Sequence, residues 1–176
     1  MSVRRVVTGT VEGRSTVVSD GTPPRTDEIT AVPGFVSSLV WATDPTSPSD
    51  HQDPTAAVTS FVPQPGGTRI IHLTLPPDSV YASPEFDPAL SAQQQLAASP
   101  GLAELFEPDA PGFHTTPTTD YGVVLSGRVV LELDDGHTTE LAPGDVVVQN
   151  GTRHAWRNPF AEPARAVFVL VGARQQ

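Results

Sequence analysis

The stretch FHTTPTTDYGVVLSG, from Phe113 to Gly127, decides how this chain is expected to fold. His114, Thr116 and Asp120 are separated by even numbers of residues, and an apolar run then leads to the glycine. In a β-strand, residues of the same parity point to one face of the sheet. The spacing therefore predicts a β-arch whose polar side chains project to one side.

The strand pattern continues from this stretch to the C-terminus. Valine-rich runs follow one another at short spacing, separated by the turn sequences DDG at 134–136 and APGD at 142–145. Asp-Gly and Pro-Gly pairs are typical of tight turns between antiparallel strands. A ladder of short strands at this density predicts an all-β sandwich or barrel.

The preceding residues are expected to support that barrel. Residues 1–65 are predicted to form an N-terminal arm and loops that pack on a barrel formed by 66–176, in one structural domain overall. RRVVTG and STVVSDG indicate two short β-type runs of the arm, and 21–33 is interpreted as a loop. GFVSSLVWATD and GGTRIIHLTLPP are interpreted as further strands.

One segment departs from the β pattern. Near 83–108 the chain becomes rich in Ala, Leu and Gln, which predicts a short helical insertion. Pro100 is expected to open the helix there, with Leu102, Leu105 and Phe106 on one side.

Composition limits the function. The chain has 176 residues, no cysteine and no lysine, so thiolate and Schiff-base chemistry are excluded. The formal net charge of −10 repels phosphate backbones, which argues against nucleic-acid partners. No apolar run approaches the ~20 residues that span a bilayer, and no secretory signal is recognised. A cytoplasmic protein without a membrane partner is expected.

The C-terminal half resembles the cupin family, which is described by two linked motifs. The first joins two histidines, a glutamate and a glycine, and the second joins glycines, a proline, a histidine and an asparagine. Their counterparts in this chain are His114, Thr116, Asp120 and Gly127, followed by Gly144, Gly151, His154 and Asn158. RRVVTG, WATDP and GGT are also similar to the N-terminal arm of small single-domain bacterial cupins.

The resemblance implies a cupin jelly-roll β-barrel, with a metal site inside the barrel and often a homodimer. Three positions depart from the family pattern: Thr116 replaces the second histidine, Asp120 the glutamate and Gln149 the proline. The family's set of three histidines and one glutamate is therefore incomplete here.

The residues that match the family pattern, together with Asp120, still permit a metal site. If His154 opens a strand near His114, two imidazoles and the Asp120 carboxylate converge inside the barrel. Such a 2-His-1-carboxylate set suits Fe(II), and Zn, Mn, Ni or Co also accept these donors. Water, Gln149 or His72 are alternative donors, and a metal-free protein is the other interpretation.

The candidate site follows from these positions. The catalytic candidates are His114, His154 and Asp120, which are also the metal-ligand candidates. The substrate-binding candidates are Thr116, Gln149, Trp156, Tyr121 and His72. The other two histidines, His51 in a polar loop and His137 after a hairpin turn, are expected to be solvated.

Two classes of function follow. The first is a small-molecule enzyme with metal-assisted or histidine acid–base chemistry, as an oxygenase, isomerase, decarboxylase, or cyclase or dehydratase of a natural-product type pathway. The second is a non-catalytic cupin that binds or senses a small ligand. A homodimer is predicted, because the arm offers strands to a neighbour.

Overall fold

A computed structural model describes residues 3–45 and 52–174. The strands of the described residues are β1 (Arg5–Val11), β2 (Arg14–Gly21), β3 (Arg25–Ile29), β4 (Phe35–Thr43), β5 (Thr68–Leu75), β6 (Thr118–Ser126), β7 (Val129–Glu132), β8 (Thr138–Leu141), β9 (Val146–Asn150), β10 (Ala155–Arg157) and β11 (Ala164–Gly172). The helix α1 (Pro88–Ala98) lies between β5 and β6, and short 3-10 turns occupy Thr55–Ala57, Asp78–Ala82, Ala103–Leu105 and Asp134–Gly136.

The strands form three antiparallel sheets. The largest has the order β3-β4-β5-β11-β6-β9, a smaller sheet has the order β10-β7-β8, and β1 pairs only with β2. The smaller sheet faces the larger one. Val129, Leu131 and Leu141 from the smaller sheet form one apolar cluster with Val124 of β6 and Ala164 of β11. The predicted all-β jelly-roll architecture is confirmed.

Buried and more exposed residues alternate along the strands, as the sequence predicts. Along β11 every second residue is buried, from Ala164 to Gly172, and the residues between are half-buried. Ile71 of β5 packs with Phe168 and Leu170 of β11 inside the barrel, together with Phe61. Burying such side chains stabilises the fold by roughly 1.5–3 kcal/mol each.

The position of the helix differs from the prediction. Helix α1 ends before Pro100 and is opened by Asp87, whose side chain accepts hydrogen bonds from the backbone N–H groups of Ala89 and Leu90. Pro88 occupies the first helical position, where its missing N–H costs nothing. An Asp-Pro pair is a stronger helix start than Pro100, which is followed only by the 3-10 turn Ala103–Leu105.

The N-terminal region carries one strand more than expected. Residues 21–33 were interpreted as a loop, but β3 pairs there with β4 and forms one edge of the large sheet. Thr26 and Ile29 suit a half-buried edge despite their polar neighbours. The two predicted N-terminal β-type runs correspond to β1 and β2, which pair with each other. The division of the chain near residue 65 stays a prediction.

Candidate functional site

Two histidines form the centre of the site, because the backbone pairs them directly. The N–H of His114 donates to the carbonyl of His154, and the N–H of His154 donates to the carbonyl of His114, both at 3.0 Å. This antiparallel bridge lies outside the named strands. Directly opposed residues project to the same face. The two ring centroids are 4.3 Å apart, and both side chains are buried.

A backbone carbonyl fixes the orientation of each ring. His114 Nδ1 lies 3.2 Å from the carbonyl oxygen of Gly112, and His154 Nδ1 lies 2.9 Å from that of Thr152. A carbonyl oxygen only accepts hydrogen bonds, so Nδ1 carries the proton in both rings. In the neutral rings Nε2 is therefore unprotonated and is the nitrogen left for a ligand.

Burial keeps the two imidazoles neutral. Desolvation, together with the neighbouring His154, lowers the pKa of His114 to about 4. Burial also lowers the pKa of His154 below its usual 6.5. Both rings are thus unprotonated at neutral pH and act as bases or as ligands to a cation.

Asp120 lies on the inward face of β6, directly opposite Gln149 of β9. Its Oδ1 is buried and has no hydrogen-bond partner. Desolvation raises the pKa of Asp120 to about 6, and the neighbouring polar side chain of Thr118 opposes that rise. A buried carboxyl of this kind is costly as an anion and is suited to donating or exchanging a proton.

The buried polar neighbours of Asp120 are engaged with the protein. The Thr118 hydroxyl donates to the Thr116 hydroxyl at 2.7 Å. The Gln149 amide nitrogen donates to the carbonyl oxygen of Thr152 at 3.2 Å and to the Thr152 hydroxyl. Thr152 in turn holds the His154 ring. Gln149 therefore supports the loop that positions His154, and its amide oxygen is the end that remains for a substrate.

Aromatic rings surround the histidine pair. The Phe106 ring lies 4.5 Å from the His114 ring, on a residue directly after the 3-10 turn Ala103–Leu105. On the other side, the Trp156 ring contacts the His154 ring edge-on, with 5.9 Å between their centroids. The Trp156 ring also packs against the Phe168 ring, with 5.0 Å between their centroids. The histidines are thus held in an apolar stack, which explains their low pKa values. The sequence pattern places Phe106 on one side of a predicted helix, but only the structure shows that it contacts His114, because the residue follows a 3-10 turn instead of lying in a helix.

Ion pairs tie together the two segments that carry the histidines. Arg153, which precedes His154, binds both oxygens of Glu107 at 2.7 Å and also contacts Asp134 at 2.8 Å. Its guanidinium carbon lies 3.9 Å from the centroid of the Phe113 ring, next to His114. A bidentate Arg–carboxylate pair has a well-defined geometry. Arg153 therefore fixes the relative position of the two chain segments.

The histidine pair opens onto a cavity of about 980 Å³ between the two sheets and α1. His114, Thr116, Asp120, Gln149, His154 and Trp156 all line it, as the sequence predicted for a shared pocket. Five phenylalanines and five leucines, from the large sheet, α1 and the loops, supply much of the apolar part of the remaining wall. A volume near 1,000 Å³ is at the large end of the range for small-molecule sites.

One cation lines the cavity among the described residues. Arg157 is bound by Glu132 at 2.6 Å and by the carbonyl oxygen of Pro111 at 2.8 Å. Arg69 and Arg153, the other arginines considered for the pocket, are engaged elsewhere by Asp44 and Glu107. The cavity therefore presents no unneutralised arginine to an anionic substrate.

Two predicted substrate-binding residues lie away from the cavity. His72 follows the inward Ile71 on β5, and Tyr121 follows the inward Asp120 on β6, so both side chains point to the outer face of the large sheet. Neither lines the cavity, so the structure does not bring them together with the other site candidates, and their role in substrate binding stays a prediction. His137 is exposed as expected, and His51 lies outside the described residues.

The donor set for a metal is partial. Two imidazole nitrogens and the orphan Asp120 oxygen are of the types that bind transition metals. Within residues 3–45 and 52–174, no group of three or more His, Cys, Asp or Glu side chains lies close enough to hold an ion. The two histidines fit a metal as neighbouring donors, whereas a third protein ligand requires a shift of Asp120.

Two facing antiparallel sheets around a histidine-lined cavity define a β-barrel of the small-molecule-binding class. Within that class, residues 104–170 match the family model Cupin_2, described as a cupin domain, so this part of the chain is a cupin domain. The resemblance proposed from the two histidine motifs is confirmed. No helix in the described part of the chain is long and apolar enough to cross a bilayer.

Several fungal proteins are similar to part of the chain. Oryzines biosynthesis cluster protein J of Aspergillus oryzae (strain ATCC 42149 / RIB 40) is 43% identical over 65 residues, which cover 36% of each protein. Phomopsin biosynthesis cluster protein D of Diaporthe leptostromiformis is 48% identical over 62 residues, covering 35% of this chain and 33% of that protein. The cupin-domain-containing oxidoreductase fogC of Aspergillus ruber (strain CBS 135680) is 39% identical over 69 residues, which cover 35% of this chain and 34% of that protein.

The match thus spans about a third of the length of these curated relatives. Because they are fungal, the expected affiliation with bacterial small cupins finds no support in them. Among solved structures, the Cupin_2 domain of an XRE family transcriptional regulator from Enterobacter cloacae has a TM-score of 0.42 and 16% identity, covering 80% of this chain and 99% of that one.

Proposed function

We propose that this protein is a small-molecule enzyme that transfers protons with the His114–His154 pair inside the barrel. The observation that carries the proposal is the directly paired, buried couple of neutral imidazoles, each with Nδ1 held by a carbonyl. Two fixed bases facing one cavity are an arrangement for acid–base chemistry rather than for packing.

The proposed step begins with a neutral imidazole. One Nε2 accepts a proton from an acidic C–H or O–H bond of the bound substrate, which leaves an enolate or alkoxide. The resulting imidazolium returns that proton to another atom of the substrate, so the enzyme ends unchanged. Isomerisation, cyclisation or loss of water are the net reactions that such a transfer permits. The second ring lies 4.3 Å away, so repulsion keeps the pair from carrying two protons.

Asp120 is assigned a supporting part in this proposal. With a pKa of about 6, the carboxyl is partly protonated just below neutral pH and can donate a hydrogen bond to a substrate carbonyl. Such a donor stabilises the negative charge that develops when a neighbouring C–H bond loses its proton. The aromatic wall excludes water, which strengthens this interaction.

The second candidate is metal-assisted chemistry. It is favoured by the orphan oxygen of Asp120 and by the name of the relative fogC, a cupin-domain-containing oxidoreductase. His114 and His154 would hold a divalent transition metal through Nε2, with Asp120 as the third donor. The ion would supply Lewis-acid polarisation or redox capacity. The names of the cluster proteins support a role in a natural-product pathway.

Hydrogen–deuterium exchange tests the acid–base proposal before the substrate is known. The protein is incubated in D2O with a panel of neutral carbon acids, such as β-diketones and hydroxylated aromatic ketones, and loss of C–H signal is followed by NMR. We expect accelerated exchange with some members of the panel. His114→Gln and His154→Gln should lower the rate by about 10²–10⁴-fold.

The exposed histidine provides the matched control. His137→Gln removes an imidazole outside the cavity and should leave the exchange rate unchanged. Equal rates in wild type and both cavity variants would refute acid–base catalysis. Stoichiometric metal that is lost in the cavity variants would favour the second candidate, and tight binding without exchange would favour a ligand-binding or sensing cupin. A homodimer in the cytoplasm stays a proposal.

A further inference from the structure

The polar side chains of the site lie together at one end of the cavity. Asp120 of β6 is directly opposite Gln149 of β9, and the Gln149 amide is linked through Thr152 to the ring of His154. The backbone pairs His154 with His114. The four of these side chains that line the cavity are only 3–8% exposed. This end is therefore shielded from solvent, and it is where a substrate can form hydrogen bonds.

The cavity continues across the large sheet to a part with apolar walls. Ile29 of β3, Phe35 of β4 and Leu75 of β5 line it there. In the order β6-β11-β5-β4-β3, strand β3 lies four positions from β6. At about 4.8 Å between neighbouring strands, the path along the curved sheet is roughly 19 Å. A ligand that fills the cavity of about 980 Å³ therefore extends well beyond the group that contacts the histidines.

The apolar part of the cavity is also where it meets solvent. Tyr81, in the 3-10 turn Asp78–Ala82, and Leu96 of α1 line the cavity and are 42% and 44% exposed. The Tyr81 ring contacts the Phe86 ring edge-on, with 5.3 Å between their centroids. Phe86 in turn packs against the buried cluster that contains Ile29. We call Tyr81, Phe86 and Leu96 the apolar rim, because they present rings and methyl groups where the cavity opens.

The charged and polar groups in this part of the wall are already engaged. The Gln95 amide donates to the Ser91 hydroxyl at 3.0 Å, and the Asp78 carboxylate accepts the N–H of Asn158 at 3.0 Å. Arg157 is neutralised by its carboxylate partner. An anionic group would therefore lose its water here without gaining a counter-ion. What this part of the cavity offers a ligand is apolar area.

We propose that the cavity binds an uncharged amphipathic molecule, with its polar head at the His114–His154 pair and a linear apolar chain against the apolar rim. This inference names the substrate class and rests on the proposed function for the head, which carries the acidic C–H or O–H bond. Entry with the head first brings the reacting atoms to the shielded end, where aromatic rings exclude water. Burial of the chain supplies binding free energy far from the reacting atoms.

Linear β-diketones that differ only in the length of one alkyl chain test this inference. They are largely uncharged at neutral pH, and the carbon between their carbonyls carries an acidic C–H bond. Quenching of tryptophan fluorescence measures their binding, because Trp156, one of the two tryptophans of the chain, lines the cavity. We expect the dissociation constant to fall about fourfold for each added methylene. The fall should stop once the chain passes the apolar rim into solvent.

A change at the apolar rim should affect long chains selectively. Leu96→Ser should raise the dissociation constant of the longest diketones by on the order of fivefold and leave that of the shortest unchanged. Leu90→Ser is the matched control, because Leu90 lies on the same helix and is 41% exposed but does not line the cavity. This control should bind every member as wild type does. Tyr81→Ser provides a second test at the rim, and circular dichroism checks the fold of each variant.

The inference and the enzyme proposal can fail separately in this experiment. His114→Gln should retain the dependence on chain length, because His114 lies at the opposite end of the cavity from the apolar rim. Binding that strengthens with chain length but is accompanied by no proton exchange would support the inference and count against the enzyme proposal. No binding by any member, or a dissociation constant independent of chain length, would overturn the inference. Equal effects of Leu96→Ser and Leu90→Ser would also overturn it.

Discussion

Replacing Asp120 with asparagine isolates the effect of the buried charge. Asp120 is 7% exposed, its Oδ1 has no hydrogen-bond partner, and burial raises its pKa to about 6. Asparagine has nearly the same shape but cannot ionise. The substitution therefore removes the cost of the anion and leaves the packing of the cavity wall in place.

The size of the effect follows from the pKa. A group whose pKa is raised on folding stabilises the protein fully below its unfolded pKa, here 3.8, and this stabilisation is lost as the pH rises through about 6. A difference of about two units corresponds to about 3 kcal/mol. Between pH 4.5 and pH 8, wild type should therefore lose about 2 kcal/mol relative to Asp120→Asn.

Urea denaturation followed by tryptophan fluorescence, at pH 4.5, 6 and 8, measures this difference. EDTA is present throughout, because a bound cation would stabilise the carboxylate. The histidines contribute equally to the pH dependence of the unfolding free energy in both proteins, so their contributions cancel in the difference. Asp109→Asn, at an exposed aspartate outside the cavity wall, provides the matched control. The reasoning is refuted if the difference in unfolding free energy between Asp120→Asn and wild type is the same at pH 4.5 and pH 8.

Gly127→Ala should destabilise the fold by more than about 2 kcal/mol, because φ is +68° and the added Cβ would lie 2.5 Å from the Pro163 carbonyl oxygen. Gly144→Ala, with φ of +93° but no atom within 4 Å, should cost only about 1 kcal/mol, and similar losses in thermal unfolding would contradict the steric argument. In the exchange assay, the lowered pKa values of His114 and His154 leave the bases mostly unprotonated at pH 6.5 and above. The rate should therefore rise from pH 8 to 6.5 as Asp120 becomes protonated, and protonation of the histidine bases should lower it only in more acidic solution. A loss of rate with a midpoint above 6.5 would argue against these rings as the bases.

Strand periodicity was sufficient to predict the barrel and most of its site. The even spacing of His114, Thr116 and Asp120 placed these side chains on one face, and the structure brings them to one cavity with His154. The same parity rule, applied strictly, separates Tyr121 from Asp120 and His72 from Ile71. Their assignment to the pocket came from residue type, which carries no information about the face.

Other features were beyond the sequence pattern because they depend on tertiary contacts. Phe106 was expected on one side of a helix, and its contact with His114 depends on the chain path after the 3-10 turn Ala103–Leu105. The Arg153–Glu107 pair joins residues 46 positions apart, and each is an ordinary charged residue when considered alone. Strand β3 forms from a polar segment because β4 offers it a partner edge.

The direct backbone pairing of residues 114 and 154 makes the relative placement of the two rings independent of how the chain travels between them. The turn at Gly144 is exposed and has open space around it, so a circular permutant with its new ends there should retain the site. Changes in loop length between the two motifs, through insertion or deletion at such a turn, are accommodated in the same way.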